Sequence, residues 1–226
     1  MLVMGDKSVG TIWAQKIQEC VLHNQTLDRP LITLTRLPGI GAWARERLLI
    51  REVLRSADRT ILQGPLFAAL REQGLFKAGN QILWIGCAPY TAGYYGTLER
   101  EGAQCFTIEL DAELSRHGRH GRHTVGSMLD LDRHYPVRSF NLILCNGVLG
   151  WGVNAAEDQR HAFDVMAKAL QPGGALVVGW NTDTMADPVE ARLHAPHFTH
   201  SAIGDFPSRY AVENVTHVYD CFRRTG

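Results

Sequence analysis

The sequence predicts an α/β protein with a doubly wound, mostly parallel sheet behind an N-terminal helical cap, and three observations carry that expectation. From Gln81 onward, short apolar runs alternate with helical segments. Each run is almost continuous in apolar residues, as strands covered on both faces are. The first run ends in a glycine turn, the place where an open parallel sheet takes its ligand.

The chain up to Asn80 reads helical. Between Val9 and Leu22 the positions Ile12, Trp13, Ile17, Val21 and Leu22 recur at helical spacing, so an amphipathic helix is expected. Pro30 and Leu37-Pro38-Gly39-Ile40-Gly41 form a turn-rich break after it. From Trp43 to Leu54, Leu48, Leu49, Val53 and Leu54 oppose Arg45, Arg47, Arg51 and Glu52, which predicts a second helix with a charged outer face. A third is expected from Thr60 to Gln73, with Gly74 at its C-cap. Residues 1–80 are thus read as a cap within the same domain as a core of residues 81–226.

Strands are expected from Ile82 to Ile85, Ala103 to Glu109, Phe140 to Cys145 and Ala175 to Trp180, with a weaker candidate from His123 to Val125. Helical stretches lie between them at residues 92–101, 111–117 and 155–170. Thr216 to Arg223 alternates polar and apolar, as a final edge strand would.

Composition narrows the function. Lys plus Arg (23) balances Asp plus Glu (23), so the basic field of a nucleic-acid or anionic-membrane binder is missing. A small ligand or a protein partner fits better. No run reaches the roughly 20 apolar residues of a spanning helix, and MLVMGDKSVG lacks the layout of a signal peptide, so a cytoplasmic protein is expected. Cys20, Cys87, Cys105, Cys145 and Cys221 are odd in number without C-x-x-C spacing, which predicts reduced, buried thiols.

The turn after the first strand reads Gly86-Cys87-Ala88-Pro89-Tyr90-Thr91-Ala92-Gly93. Gly86 permits a sharp exit and small Ala88 keeps the path open. The second strand ends in Ile108-Glu109-Leu110-Asp111, which sets a carboxylate on its C-terminal edge some 20 residues past the glycine, where it suits a ribose diol. Asp111 leads into Ala112-Glu113-Leu114 and suits a helix start instead.

Taken in order, ILWIGCAPY, FTIELD, HTVGSMLDL, SFNLILCNGVLGWG and ALQPGGALVVGWN resemble the motif series of class I S-adenosylmethionine-dependent methyltransferases, over residues 81–181. The resemblance implies a Rossmann-like fold with a seven-stranded sheet and S-adenosylmethionine as cofactor. It also implies methylation of a small molecule on oxygen, nitrogen or carbon, in specialised metabolism. Position by position it implies Gly86, Ala88 and Tyr90 under the methionine part of the cofactor, and Glu109 on the ribose with Leu110 beside it. It further implies Ser127 and Met128 at the adenine, and Asn146 with Gly147 near the methyl group. Leu170-Gln171-Pro172-Gly173-Gly174 resembles the turn before the family's fifth strand.

Three departures stand out: Trp84 replaces the usual acid two residues before the glycine, Ala88 and Tyr90 replace loop glycines, and Ser127 replaces the acid after the third strand. They motivate a second reading, a methyltransferase-like binding module or partner subunit without catalysis. A nicotinamide-dependent reading keeps Glu109 but is served poorly by Pro89-Tyr90 where a pyrophosphate would lie.

His194, His197 and His200 follow the fifth strand, where the family often builds its acceptor pocket, and one of them is a candidate base. Pro196 interrupts their spacing, so no metal site is expected. Trp151 is a candidate wall of the acceptor pocket, with a core-edge role equally open. Cys87 and Cys145 lack a base partner and read as buried small residues. The run from Arg116 to His123 reads as a solvated loop rather than a phosphate site. A homodimer is left open.

Overall fold

The computed structural model describes residues 42–226. The helix expected from Val9 to Leu22 and the break from Pro30 to Gly41 lie outside them. The described residues belong to two compact units, residues 42–60 with Glu213–Val215, and Ile61–Val212 with Thr216–Gly226.

The first unit contains α1 (Ala42–Arg55), as the spacing predicted, and the start of α2 (Ala57–Ile61). In the second, the single helix expected to Gln73 is divided. Leu62–Leu66 widens into a π-helical turn around Pro65, and α3 (Phe67–Glu72) follows. Pro65 has no N–H to donate and its ring crowds the carbonyl four residues back, so the wider turn relieves both problems. Gly74 ends α3 at φ +72°, where Leu75 N–H reaches the Leu70 carbonyl (3.1 Å) and Gly74 N–H the Arg71 carbonyl (2.8 Å).

The sheet follows as β1 (Gln81–Ile85), α4 (Ala92–Leu98), β2 (Gln104–Glu109), a 3-10 turn (Ala112–His117), β3 (His123–Val125), a 3-10 turn (Met128–Asp130), α5 (Leu131–His134), β4 (Phe140–Asn146), α6 (Ala156–Ala169), β5 (Leu170–Asn181), β6 (Phe198–His200), β7 (Arg209–Ala211) and β8 (His217–Arg224). Strand order is β3-β2-β1-β4-β5-β8-β6, with β7 also on β8. The first five strands are parallel and β8 is antiparallel to β5. The sheet has eight strands rather than the seven expected. β6 and β7 lie end to end on one edge of β8, at Phe222–Arg224 and Val218–Asp220, so seven lanes hold eight strands.

β8 is a second correction: it is not an edge. It pairs on both sides and its first six residues are buried. Its polar residues looked solvent-facing in sequence, but Asp220 is fully buried and satisfied by side chains. Asp220 accepts from Arg209 Nε (2.8 Å), Arg209 Nη2 (2.9 Å) and Trp180 Nε1 (2.8 Å), with His200 Nε2 at 2.9 Å. Arg209 also forks onto Asp187 (2.6 and 2.8 Å) and lies over the Trp180 ring.

The register sorts the two sheet faces. One carries Trp84, Leu144, Val177, Gly179, Tyr219 and His217, with α4 packed on it through Trp84 and Tyr94 (centroids 5.2 Å apart). The other carries Leu83, Ile143, Leu176, Val178, Trp180 and Phe222, with α6 packed through Phe163 on Phe222 (5.7 Å). The basic loop is not simply solvated. Arg119 (2.9 Å) and Arg122 (2.7 Å) clamp Glu99 at the end of α4, and Glu99 also accepts from Cys105 N–H. Burial pushes the Glu99 carboxyl up, and the Arg119 hydrogen bond with these other partners reverses that, leaving it below its ordinary value.

Candidate functional site

The carboxyl ends of β1, β2, β4 and β5 meet at one edge, and each sends a loop outward there. Gly86 leaves β1 at φ +85°, and a Cβ on it would stand 2.8 Å from Val148 Cγ2 in the loop after β4, so only glycine meets both demands. The loop is braced from below. Trp84, 1% exposed, donates its indole N–H to the Gly86 carbonyl (2.7 Å). The Thr91 hydroxyl accepts from Ala88 N–H (3.0 Å), donates to the Ala88 carbonyl (2.9 Å) and meets Tyr95 Oη (3.1 Å). Trp84, Ala88, Tyr94 and Tyr95 are thus buried supports of the turn and of α4.

Glu109 stands opposite this turn, half-buried. Its Oε2 accepts from Cys87 N–H (2.7 Å) and its Oε1 from Asp111 N–H (2.9 Å). Each carboxylate oxygen has two acceptor positions, so one on each remains for a pair of vicinal hydroxyls. Asp111 caps the following turn by accepting from Glu113 N–H, the helix-start role expected of it. Leu110 (71% exposed) and Val125 (47%) present apolar surface at the ends of β2 and β3. Ser127 caps the Met128–Asp130 turn through Leu129 N–H (3.1 Å), and Met128 is buried in the core with Ile108 and Leu131.

At the end of β4, Asn146 lies opposite Gly179 of β5, and Gly147 N–H donates to the Gly179 carbonyl (2.9 Å). Both Asn146 amide atoms are hidden from solvent and lack a hydrogen-bond partner among the described residues. Leaving such groups unmade costs about 1–3 kcal/mol each, which a functional site tolerates and a structural one rarely does. Trp151 is half-buried in the tight turn that follows, where its N–H donates to the Val148 carbonyl (3.2 Å).

The structure brings Gly86, Ala88, Glu109, Leu110, Asn146, Gly147 and Trp151 to this edge, with Tyr90 in the same loop. The three histidines lie elsewhere. His194 lies tilted against Phe222 (5.5 Å), which is level with Leu176 in the middle of β5. His197 pairs with Asp164 of α6 (3.2 Å) and His200 with Asp220. No group of three His, Cys, Asp or Glu side chains among the described residues is arranged for a metal ion. Burial pushes the Cys87 thiol up to about 11 and the Cys145 and Cys221 thiols up to about 12, so all three are protonated at neutral pH. Sequence reasoning missed His217, whose position at this edge follows only from the antiparallel pairing of β8 with the end of β5.

Residues 83–178 match the family model described as a methyltransferase domain. No curated relative matches the sequence. Among solved structures, the chain is similar to the N-methyltransferase NodS from Bradyrhizobium japonicum, at 18% identity and TM-score 0.56 over 75% of this chain and 99% of that one. It is similar to a TehB-like SAM-dependent methyltransferase from Corynebacterium glutamicum, at 17% identity and TM-score 0.53 over 75% and 98%. It is also similar to the 1,6-didemethyltoxoflavin-N1-methyltransferase of Burkholderia thailandensis, at 16% identity and TM-score 0.53 over 100% and 94%. At these identities the structures speak for the fold. The family match marks residues 83–178 as a methyltransferase domain, and the motif series resembles that of class I S-adenosylmethionine-dependent methyltransferases. S-adenosylmethionine is the cofactor of that class, and the spare acceptors of Glu109 and the close approach at Gly86 fit it. No helix among the described residues is long and apolar enough to cross a membrane.

Proposed function

We propose that this protein methylates a small molecule taken up at the carboxyl ends of β4 and β5, beside the amino end of β8. The observation that carries the reading is Glu109, held by two backbone N–H groups beside the Gly86 turn with acceptor capacity left for a sugar diol. In this reading Glu109 holds the ribose, Leu110 and Val125 flank the adenine, and the Gly86–Tyr90 backbone runs beneath the methionine part. When bound, the cofactor supplies a methyl group on a sulfonium, open to in-line attack. The chain's task is then to orient the acceptor and exclude water, more than to supply many reacting groups. Asn146 and Trp151 border the place an acceptor would occupy.

Relatives support a small acceptor: the Burkholderia enzyme is described with bound 1,6-didemethyltoxoflavin, a small molecule, together with S-adenosylhomocysteine. The noncatalytic reading rested on Trp84, Ala88, Tyr90 and Ser127. Trp84 and Ala88 are buried supports of the loop and Ser127 caps a turn, so none of the three argues for a blocked crevice. Isothermal titration with S-adenosylmethionine and S-adenosylhomocysteine tests the proposal. Micromolar binding of both is expected, and absence of heat and of any thermal shift with either would sink it.

A further inference from the structure

At the carboxyl end of β4, Asn146 leaves both a donor and an acceptor unmade among the described residues. Its flanks are bare. Ile85 pairs with Cys145, which sets the Gly86 turn on one side of Asn146, and Gly179 is its partner on the other. A Cβ on Gly179 would stand 1.8 Å from Asn146 Oδ1, so the amide lies in the space that a side chain there would fill. The residue is half-buried while both amide atoms are hidden from solvent, which puts the amide at the rim of the sheet rather than in its core.

A carboxamide is planar and holds its donor and its acceptor side by side in either of its two orientations. Its complement is a flat edge that carries an acceptor beside a donor. The two then make a pair of parallel hydrogen bonds, as asparagine does with the edge of adenine. A lone hydroxyl engages one half of the amide and leaves the other half desolvated without a partner.

We propose that Asn146 reads the methyl acceptor and selects a planar molecule with a donor beside an acceptor: a lactam, a primary carboxamide or an amino-substituted nitrogen heterocycle. Gly86 and Gly179 present no side chain to block the approach of such an edge. The inference rests on the methyltransferase reading above, and its test separates the two.

Two measurements on protein loaded with S-adenosylhomocysteine decide it, with 2-pyridone and phenol as probes. Both are flat rings of similar size; 2-pyridone carries an N–H beside a carbonyl, and phenol a single hydroxyl. In protein labelled with nitrogen-15, millimolar 2-pyridone is expected to move the side-chain amide signals of Asn146, and phenol to leave them in place. In titration, the unsubstituted protein is expected to hold 2-pyridone about tenfold more tightly than phenol, the worth of one further buried hydrogen bond. Asn146→Leu is expected to bring the two within about twofold while holding S-adenosylhomocysteine as before. Asn146 signals that 2-pyridone leaves in place overturn the proposal, whether S-adenosylhomocysteine already occupies the amide or neither ring binds. A preference that survives in the variant overturns it equally. The signals are read on unsubstituted protein, so they decide the matter even where the variant fails to fold. Failure of S-adenosylhomocysteine to bind the unsubstituted protein overturns the methyltransferase reading itself.

Discussion

Two buried polar clusters lie on either side of β5 in one sheet, on opposite faces, and are built in opposite ways. Around Asp220, a carboxylate with no exposure has Arg209 twice, Trp180 and His200 as partners, and Arg209 is fixed in turn by Asp187. Around Asn146, an amide stands over the bare backbone of Gly179 with neither of its atoms bonded among the described residues. The first cluster joins β5, β7, β8 and β6 and leaves no charge unmet. The second leaves hydrogen-bonding capacity open, among the described residues, at the carboxyl edge of the sheet. Saturation marks a part whose work is holding, and open capacity marks one whose work is done on a ligand.

The comparison breaks first at Asp220. Asp220→Ala leaves Arg209 partly buried with one carboxylate instead of two, and is expected to destabilise the fold by about 3–5 kcal/mol in urea unfolding. A loss under 1 kcal/mol would mean the cluster is not structural. Glu109→Ala probes the other side: titration with S-adenosylhomocysteine is expected to show affinity reduced about 10- to 100-fold, as for loss of charge-assisted hydrogen bonds to two hydroxyls. Because Asp220 lies on the opposite face from the crevice, a folded Asp220 variant is expected to bind S-adenosylhomocysteine as the parent does.

Much of this contrast was hidden in the sequence, although the fold was not. Parallel strands buried on both faces declare themselves as apolar runs, and β1, β2 and β4 begin and end within one residue of the expected bounds. Gly86 and Glu109 were legible because a turn and a strand-end acid are local in sequence. β8 was misread because alternation ordinarily means one wet face, whereas here its polar residues meet partners from β5, β6 and β7 that are distant in sequence. His217 was invisible for the same reason, since only the antiparallel register carries it to the carboxyl edge. The histidines after β5 attracted attention by proximity in sequence, yet the chain takes them back toward the other end of the sheet.

Acid sharpens the picture of the saturated cluster. The Arg209 hydrogen bonds hold the Asp187 carboxyl down at about 2, below its ordinary 3.8. A depressed carboxyl stabilises the fold fully above its unfolded value and ceases to do so as pH falls through its folded one. Asp187→Asn is therefore expected to cost about 1–2 kcal/mol at pH 6, after discount for its partial exposure, with the gap to the parent closing between about pH 4 and 2. Urea unfolding at several pH values reads this directly, and a gap independent of pH would assign the effect to lost hydrogen bonds alone.

The smallest expected effect has the opposite sign. Replacing Asn146 by leucine removes two buried polar atoms that have no partner among the described residues and puts hydrocarbon in nearly the same volume. No hydrogen bond is lost to the fold, and a desolvated amide is removed, so Asn146→Leu is expected to be neutral or to stabilise the protein by up to about 1 kcal/mol. Leucine branches at Cγ as asparagine does, and Gly179 presents no side chain to that branch, which limits the strain. If Asn146 belongs to the reaction centre, the same variant loses the preference for 2-pyridone over phenol while the ribose contact at Glu109 persists. A variant that is both destabilised by more than about 1 kcal/mol and unaltered in that preference would place Asn146 with Asp220, as a structural group whose partner lies beyond the described residues.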